Sequence, residues 1–153
     1  MTHGFEKVKY SDSGIIPTRA DDGSAGYDFY VPNNEMGNPD QISIVPGQMV
    51  KIKTNIKCKL LKDEVLLLFV RSSVGIKKNL TLANGTGVID STYYNNPDND
   101  GNIIVCLYNY GQETQFLQSG DRIVQGVIVK YHTLDNDEVL FDSRIGGIGS
   151  SNR

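Results

Sequence analysis

Between Met49 and Ile56 apolar and polar residues alternate, the period of a strand with one buried face. Val65 to Val70 is continuously apolar and reads as a strand buried on both faces, and Ile103 to Tyr110 and Ile123 to Tyr131 are similar. Turn signals separate these runs at Pro46-Gly47, Lys62-Asp63-Glu64, Asn84-Gly85, Gly111-Gln112 and Ser119-Gly120. No long segment repeats apolar residues at helical spacing. Many short strands with regular punctuation predict an all-β sandwich or barrel. One short helix is expected after Arg71-Ser72-Ser73, with Ser72 or Ser73 as its N-cap. Two segments read as loose: the polar hairpin tip Pro97-Asp98-Asn99-Asp100-Gly101, and the glycine-rich end of the chain. The expected division is a β domain over 1–141 and a mobile arm over 142–153.

Size and charge narrow the classes of function. A chain of 153 residues can build one domain with a sizeable core. A net charge of -3 argues against a nucleic-acid coat protein. No apolar run reaches membrane-spanning length, and the first residues lack the apolar stretch of a secretory signal, so a cytoplasmic location is expected. Two cysteines, Cys58 and Cys106, lie in strand-like contexts and read as buried free thiols. The histidines His3 and His132 have no neighbouring ligand set for a structural zinc. A catalytic base is therefore a carboxylate, or a histidine acting alone.

Several segments carry candidate chemistry. In Gly85-Thr86-Gly87-Val88-Ile89-Asp90-Ser91-Thr92-Tyr93 a carboxylate closes a strand, and an aromatic three residues on can stack on a flat ring. An aspartate there is also an ordinary turn former. Arg71-Ser72-Ser73 follows a buried strand and offers a guanidinium fork, hydroxyls and backbone N–H groups to an anion; a serine cap beside a solvated arginine is the plain alternative. Asp28 sits in the segment Ala25-Gly26-Tyr27-Asp28-Phe29. Asn84 can donate and accept on adjacent atoms, which suits a pyrimidine edge, or it can simply make the Asn-Gly turn. In Gly120-Asp121-Arg122-Ile123-Val124-Gln125, alternation puts Ile123 and Gln125 on one face. Asp98-Asn99-Asp100-Gly101 has part of a calcium-loop pattern but lacks the later glutamate, and reads as a turn.

These segments, with Arg144-Ile145-Gly146-Gly147-Ile148-Gly149-Ser150-Ser151, resemble the five ordered motifs of the trimeric dUTP diphosphatases (dUTPases) from about residue 25 to 151. The resemblance implies a jelly-roll-like β-clip fold and magnesium-assisted attack of water on the α-phosphate of dUTP. That reaction lowers dUTP and supplies dUMP for dTMP synthesis. Asp90 would orient and deprotonate the water. Arg71, Ser72 and Ser73 would hold the phosphate chain, and Gln125 would approach the α-phosphate, with Arg122 a structural ion-pair partner. Asp28 would face the waters of Mg2+. Asn84 and the hairpin at Gly87, Val88 and Ile89 would read uracil, Tyr93 would pack on the deoxyribose, and Ile104 would complete the pocket. Arg144, Ile148 and Ser150 would act from the C-terminal arm. The family is homotrimeric, each site combining the phosphate clamp of one subunit, the hairpin of a second and the arm of a third.

The chain departs from the family in places. Ile148 stands where relatives commonly have phenylalanine, and the spacing from the arginine to the glycine pair is one residue shorter. Val124 replaces a usual alanine, Ser73 a usual glycine, and the loop after Tyr93 is extended by Pro97 to Gly101. Two other functions share the scaffold. A dCTP deaminase would need a glutamate near the pyrimidine amino group, where this chain has Asp90, Asp98 and Asp100. A binding or regulatory protein of low activity would fit the extended loop and altered tail.

Overall fold

The computed structural model describes residues 2–35 and 40–140. Its strands are β1 (Gly4–Lys7), β2 (Tyr27–Tyr30), β3 (Gln41–Ile44), β4 (Met49–Lys53), β5 (Ile56–Lys59), β6 (Glu64–Val70), β7 (Leu80–Leu82), β8 (Gly87–Asp90), β9 (Ile104–Asn109), β10 (Gln115–Gln118) and β11 (Arg122–Lys130). Among the described residues one short helix, α1 (Ser72–Lys77), and a 3-10 turn at Ser91–Tyr93 interrupt them. The strands form a four-stranded sheet in the order β2-β11-β6-β8, a three-stranded sheet β4-β9-β7, and the pairs β1-β5 and β10-β3. All named pairings are antiparallel. This is an all-β sandwich, as the strand pattern predicts, and it is consistent with the jelly-roll type that the resemblance implies.

Apolar side chains from all the sheets meet in one core built around Phe29, Ile44, Leu66, Leu80, Leu107 and Ile123, each fully buried. β9 alternates between buried and more exposed positions, so Val105 and Leu107 point inward and Tyr108 outward. β6 is less enclosed than its continuous apolar run suggests. Leu66 and Leu68 are core residues, whereas Phe69 is 38% exposed, because the sheet's second face is open in the isolated chain.

Local chemistry explains where elements stop. The alternating run from Met49 breaks at Thr54-Asn55, because Asn55 adopts a left-handed φ of 58° and its side chain bonds Ser13 and Asn102. The chain therefore enters a separate strand at Ile56. Cys58 is buried, and burial, followed by the charge of nearby Glu64, pushes its thiol up to about 12. Cys106 is only half-buried. No helix among the described residues is long and apolar enough to cross a membrane.

The segment Pro97 to Gly101 is not a loose hairpin tip. The strands before and after it, β8 and β9, pair with β6 and with β4 and β7, not with each other. Asp100 is buried and forms an ion pair of 3.1 Å with buried Lys57. Its carboxylate also accepts the Lys9 N–H at 2.8 Å. Asn96 and Asn102 are buried too. The polar residues that read as a solvated tip are the anchors of an ordered loop.

Candidate active site

The four-stranded sheet brings Asp28 and Gln125 together. They are register partners on β2 and β11, and both line a cavity of about 380 Å³ with Gly26, Arg71 and Ser72. Gln125 reaches this cavity through an irregularity in the pairing. The β2–β11 register shifts between Arg122 and Val124, so the consecutive residues Ile123 and Val124 are both fully buried. Gln125 therefore does not share a face with Ile123, as strict alternation predicts; Ile123 enters the core and Gln125 turns to the cavity.

Asp28 is the electrostatic centre of this region. Its side chain is 13% exposed, and its Oδ1 lies 2.9 Å from Arg71 Nε. Its Oδ2 lies 3.5 Å from Arg122 Nη1. The carboxylate thus fixes both guanidinium groups. The Arg71 contact uses Nε, so it does not consume the fork of terminal N–H groups that suits phosphate oxygens. Arg71 also borders a second, larger cavity of about 700 Å³ lined by Ser73, Lys78 and Arg122. Two cavities that meet at one arginine, with three cations between them, can take an extended polyanion.

The serines act differently from the sequence expectation. α1 begins at Ser72 with Arg71 in the extended N-cap position, and no side chain caps it. The Arg71 carbonyl accepts the Val74 and Gly75 N–H groups instead. Ser72 and Ser73 are exposed, one in each cavity, with hydroxyls not committed to capping.

Asp28 also bears on the metal. Among the described residues no cluster of three or more acidic, histidine or cysteine side chains could cage an ion. A lone carboxylate already paired with two arginines fits a hydrated cation carried in by phosphates, since its oxygens keep lone pairs for metal-bound water. It does not fit a cation held by the protein alone.

The remaining predicted residues lie elsewhere. Asp90 ends β8 in extended conformation, before the 3-10 turn, and does not cap that turn. Asn84 is exposed in the bend after β7, where its carbonyl accepts the Thr86 N–H at 3.0 Å. Val88 is 58% exposed, Ile89 is half-buried and Gly87 packs against Leu68. The expected hairpin is not a paired one: β7 pairs with β9 and β8 with β6, so the bend crosses between sheets. Ile104 opens β9 opposite Lys53, half-buried. Tyr93 ends the 3-10 turn, and its hydroxyl donates to the Asn102 carbonyl at 2.7 Å. Tyr94, the rival aromatic, donates to Glu6 Oε2 at 2.8 Å and packs under Lys57 and Lys59. Arg144, Ile148, Ser150 and the arm over 142–153 lie outside the described residues.

Within one chain these groups do not converge. Asp90 is the register partner of Val65, and Arg71 follows the far end of the same strand. At about 3.3 Å per residue, the run from Val65 to Arg71 separates the two by roughly 20 Å. A base must lie within hydrogen-bond reach of the water it activates. Asp90 and the Arg71 cavity of the same chain therefore cannot serve one phosphorus atom.

One contributor was not singled out from the sequence. A Cβ on Gly26 would lie 2.6 Å from Gln125 Oε1, so glycine leaves room for the amide in the cavity. Its place two residues before Asp28 in a strand-like segment was the available signal.

Comparison with known proteins gives a consistent picture. The family model described as dUTPase matches residues 12–152. The deoxyuridine 5'-triphosphate nucleotidohydrolase of Lactococcus lactis subsp. lactis is 40% identical over 151 residues, covering 97% of this chain and 96% of the relative. That of Escherichia phage T5 is 31% identical over 150 residues, covering 95% and 97%. Among solved structures, the dUTPase from Streptococcus mutans matches with a TM-score of 0.76 at 38% identity, over 87% of this chain and 99% of that one.

Proposed function

The chain belongs to the dUTPase family, and from that premise we propose that it hydrolyses dUTP to dUMP and pyrophosphate at sites shared between the subunits of a homotrimer. The observation that carries the reading is the cavity of Asp28, Arg71, Ser72 and Gln125, assembled from three separate motifs. Arg71 and Ser72 bind phosphate oxygens, with Ser73 adding contacts from the adjoining cavity. Gln125 approaches the α-phosphate, and Asp28 holds the Arg71 guanidinium in place.

Water attacks the α-phosphorus while its proton passes to Asp90. The bond from that phosphorus to the bridging oxygen breaks, and pyrophosphate leaves with the electron pair. Asp28 would help hold Mg2+ through water, and the ion would offset charge on the phosphate oxygens when bound. Asn84 and the backbone from Gly87 to Ile89 read uracil, Tyr93 packs on the deoxyribose and Ile104 borders the same pocket. Arg144, Ile148 and Ser150 act from the C-terminal arm. The reaction lowers dUTP and supplies dUMP for dTMP synthesis, in the cytoplasm.

The separation of Asp90 from Arg71 supports the shared site, because a second chain must then supply the base. An apolar strip supports the assembly. Leu67, Phe69, Val88, Val127 and Val129 lie on the outer face of the four-stranded sheet, beside Asp28, Gln125 and Asp90. Phe69 and Val129 are each 38% exposed there, the kind of surface a partner subunit covers.

The decisive experiment measures pyrophosphate release from dUTP, dTTP, UTP and dCTP with magnesium. Strong preference for dUTP is expected; ammonia release from dCTP, or no turnover of any of the four, overturns the reading. Asp90→Asn should lose at least about 10²-fold in turnover while still binding nucleotide. A chelator should abolish turnover and leave the melting temperature of the free protein nearly unchanged, since the cation arrives with the substrate.

A further inference from the structure

The loop from Asn95 to Asn102 reaches back to the tyrosine that precedes it. Asn99 Nδ2 donates to the Tyr93 hydroxyl at 2.8 Å, and that hydroxyl donates to the Asn102 carbonyl at 2.7 Å. A phenol offers one O–H donor and accepts on the same oxygen. The loop therefore engages it as both donor and acceptor, and swinging the ring aside or retracting it must break these contacts.

The loop is itself fastened at several points. Internally, the Asp100 N–H donates to the Asn96 carbonyl at 2.7 Å, and the Gly101 N–H to Asn99 Oδ1 at 3.0 Å. Gly101 has a φ of +79°, and a Cβ there would lie 2.6 Å from the Tyr93 carbonyl oxygen, so only glycine closes the loop this tightly. Externally, Asp100 is pinned by Lys57 and the Lys9 N–H. The Asn102 side chain is buried and bonds Asn55 and the Tyr10 hydroxyl. These anchors tie the loop to β5 and to the N-terminal segment.

We infer that this loop is a positioning device for Tyr93, and that Asn99 is a positioning residue for discrimination between deoxyribose and ribose nucleotides. The inference rests on the proposed role of Tyr93 against the sugar. A ring held at its hydroxyl cannot move aside for a 2′-hydroxyl; a ring released from Asn99 can. Selectivity in this chain thus resides partly in a residue that need not touch the substrate.

The test measures kcat/KM for dUTP and UTP in Asn99→Ala, Tyr93→Phe and the double variant. Each single change should raise the UTP-to-dUTP ratio by roughly threefold to tenfold, the scale of one hydrogen bond. Tyr93→Phe keeps the ring and leaves the loop intact, so it carries the test even where Asn99→Ala folds poorly. The double variant should show no larger ratio than Tyr93→Phe alone, because loss of the hydroxyl already removes the Asn99 contact. Turnover of dUTP itself should change less than the ratio. Full additivity, or an unchanged ratio in Tyr93→Phe while Tyr93→Ala relaxes selectivity, overturns the inference alone. An unchanged ratio in Tyr93→Ala removes the sugar-packing role and the inference with it.

Discussion

Asp28 and Gly26 show how much of the site depends on single atoms. The Asp28 carboxylate orients two arginines of opposite calling: Arg71 borders both cavities, whereas Arg122 is half-exposed at the rim of one. Replacing Asp28 with asparagine removes the charge that holds Arg71 by its Nε. Under the proposed mechanism this raises KM for dUTP and weakens magnesium dependence together, measurable by titrating the metal at fixed nucleotide. Gly26→Ala places a methyl group against the Gln125 amide. The nearest atom is the flexible amide end, which swings away, and the Gln125 Cβ at 3.3 Å has to give only by a few tenths of an ångström, so the fold absorbs the change. Stability should fall by less than about 1 kcal/mol, while under the proposed mechanism turnover drops because Gln125 is turned away from the α-phosphate. Equal losses of turnover and melting temperature would contradict this.

At the scale of elements, the loop after the 3-10 turn shows how a polar segment becomes rigid. Lys57 on β5 is buried and donates to Asn95 Oδ1 at 2.7 Å and to Asp100 at 3.1 Å, with the Tyr94 ring 5.0 Å away. Lys57→Met leaves Asp100 buried without its charge partner and should cost about 3 kcal/mol in denaturant unfolding. A loss indistinguishable from a surface substitution would mean the loop is held by its backbone alone. The same carboxylate gives a pH signature. Burial raises the Asp100 pKa, but the Lys9 N–H and Lys57 outweigh it, and the net value lies below the ordinary 3.8. A depressed folded value means the stabilisation is complete above 3.8 and is lost as pH falls through the folded pKa. The melting temperature should therefore drop below that pH, and drop less steeply in Asp100→Asn.

At the scale of the whole molecule, β6 acts as a spacer. Arg71 follows one end and Asp90 lies beside the other, so the strand's length keeps the proposed clamp and the proposed base apart within one chain. Assembly through the open sheet face is the proposed remedy, and it predicts complementation. Arg71→Ala and Asp90→Asn proteins should each be nearly inactive. Unfolded together and refolded as mixed trimers, they should recover about a quarter of parental activity by random assortment of subunits. Mixtures that stay inactive, although mixed trimers form, would show that clamp and base must come from the same chain.

How legible the protein was in its sequence differs from feature to feature. The strands at β4, β6, β9 and β11, the short helix and the ordered motifs were readable because period, turn residues and motif spacing are local properties of the chain. Membership of the family followed from the same order of segments. Three features depended on the folded chain. The bulge that turns Gln125 away from Ile123 arises where β11 meets β2, and alternation carries no trace of it. The clustered asparagines and aspartates from Asn95 to Asn102 have the composition of a solvated turn, and only their partners Lys9, Tyr10, Asn55 and Lys57, distant in sequence, make them an anchor. The distance between Asp90 and Arg71 is likewise a matter of pairing: they are near neighbours in the motif order, but strand register sets them at opposite ends of one sheet. The sequence determined which groups are present and in what order; tertiary structure decided which of them meet, because contact depends on register and burial between segments far apart along the chain.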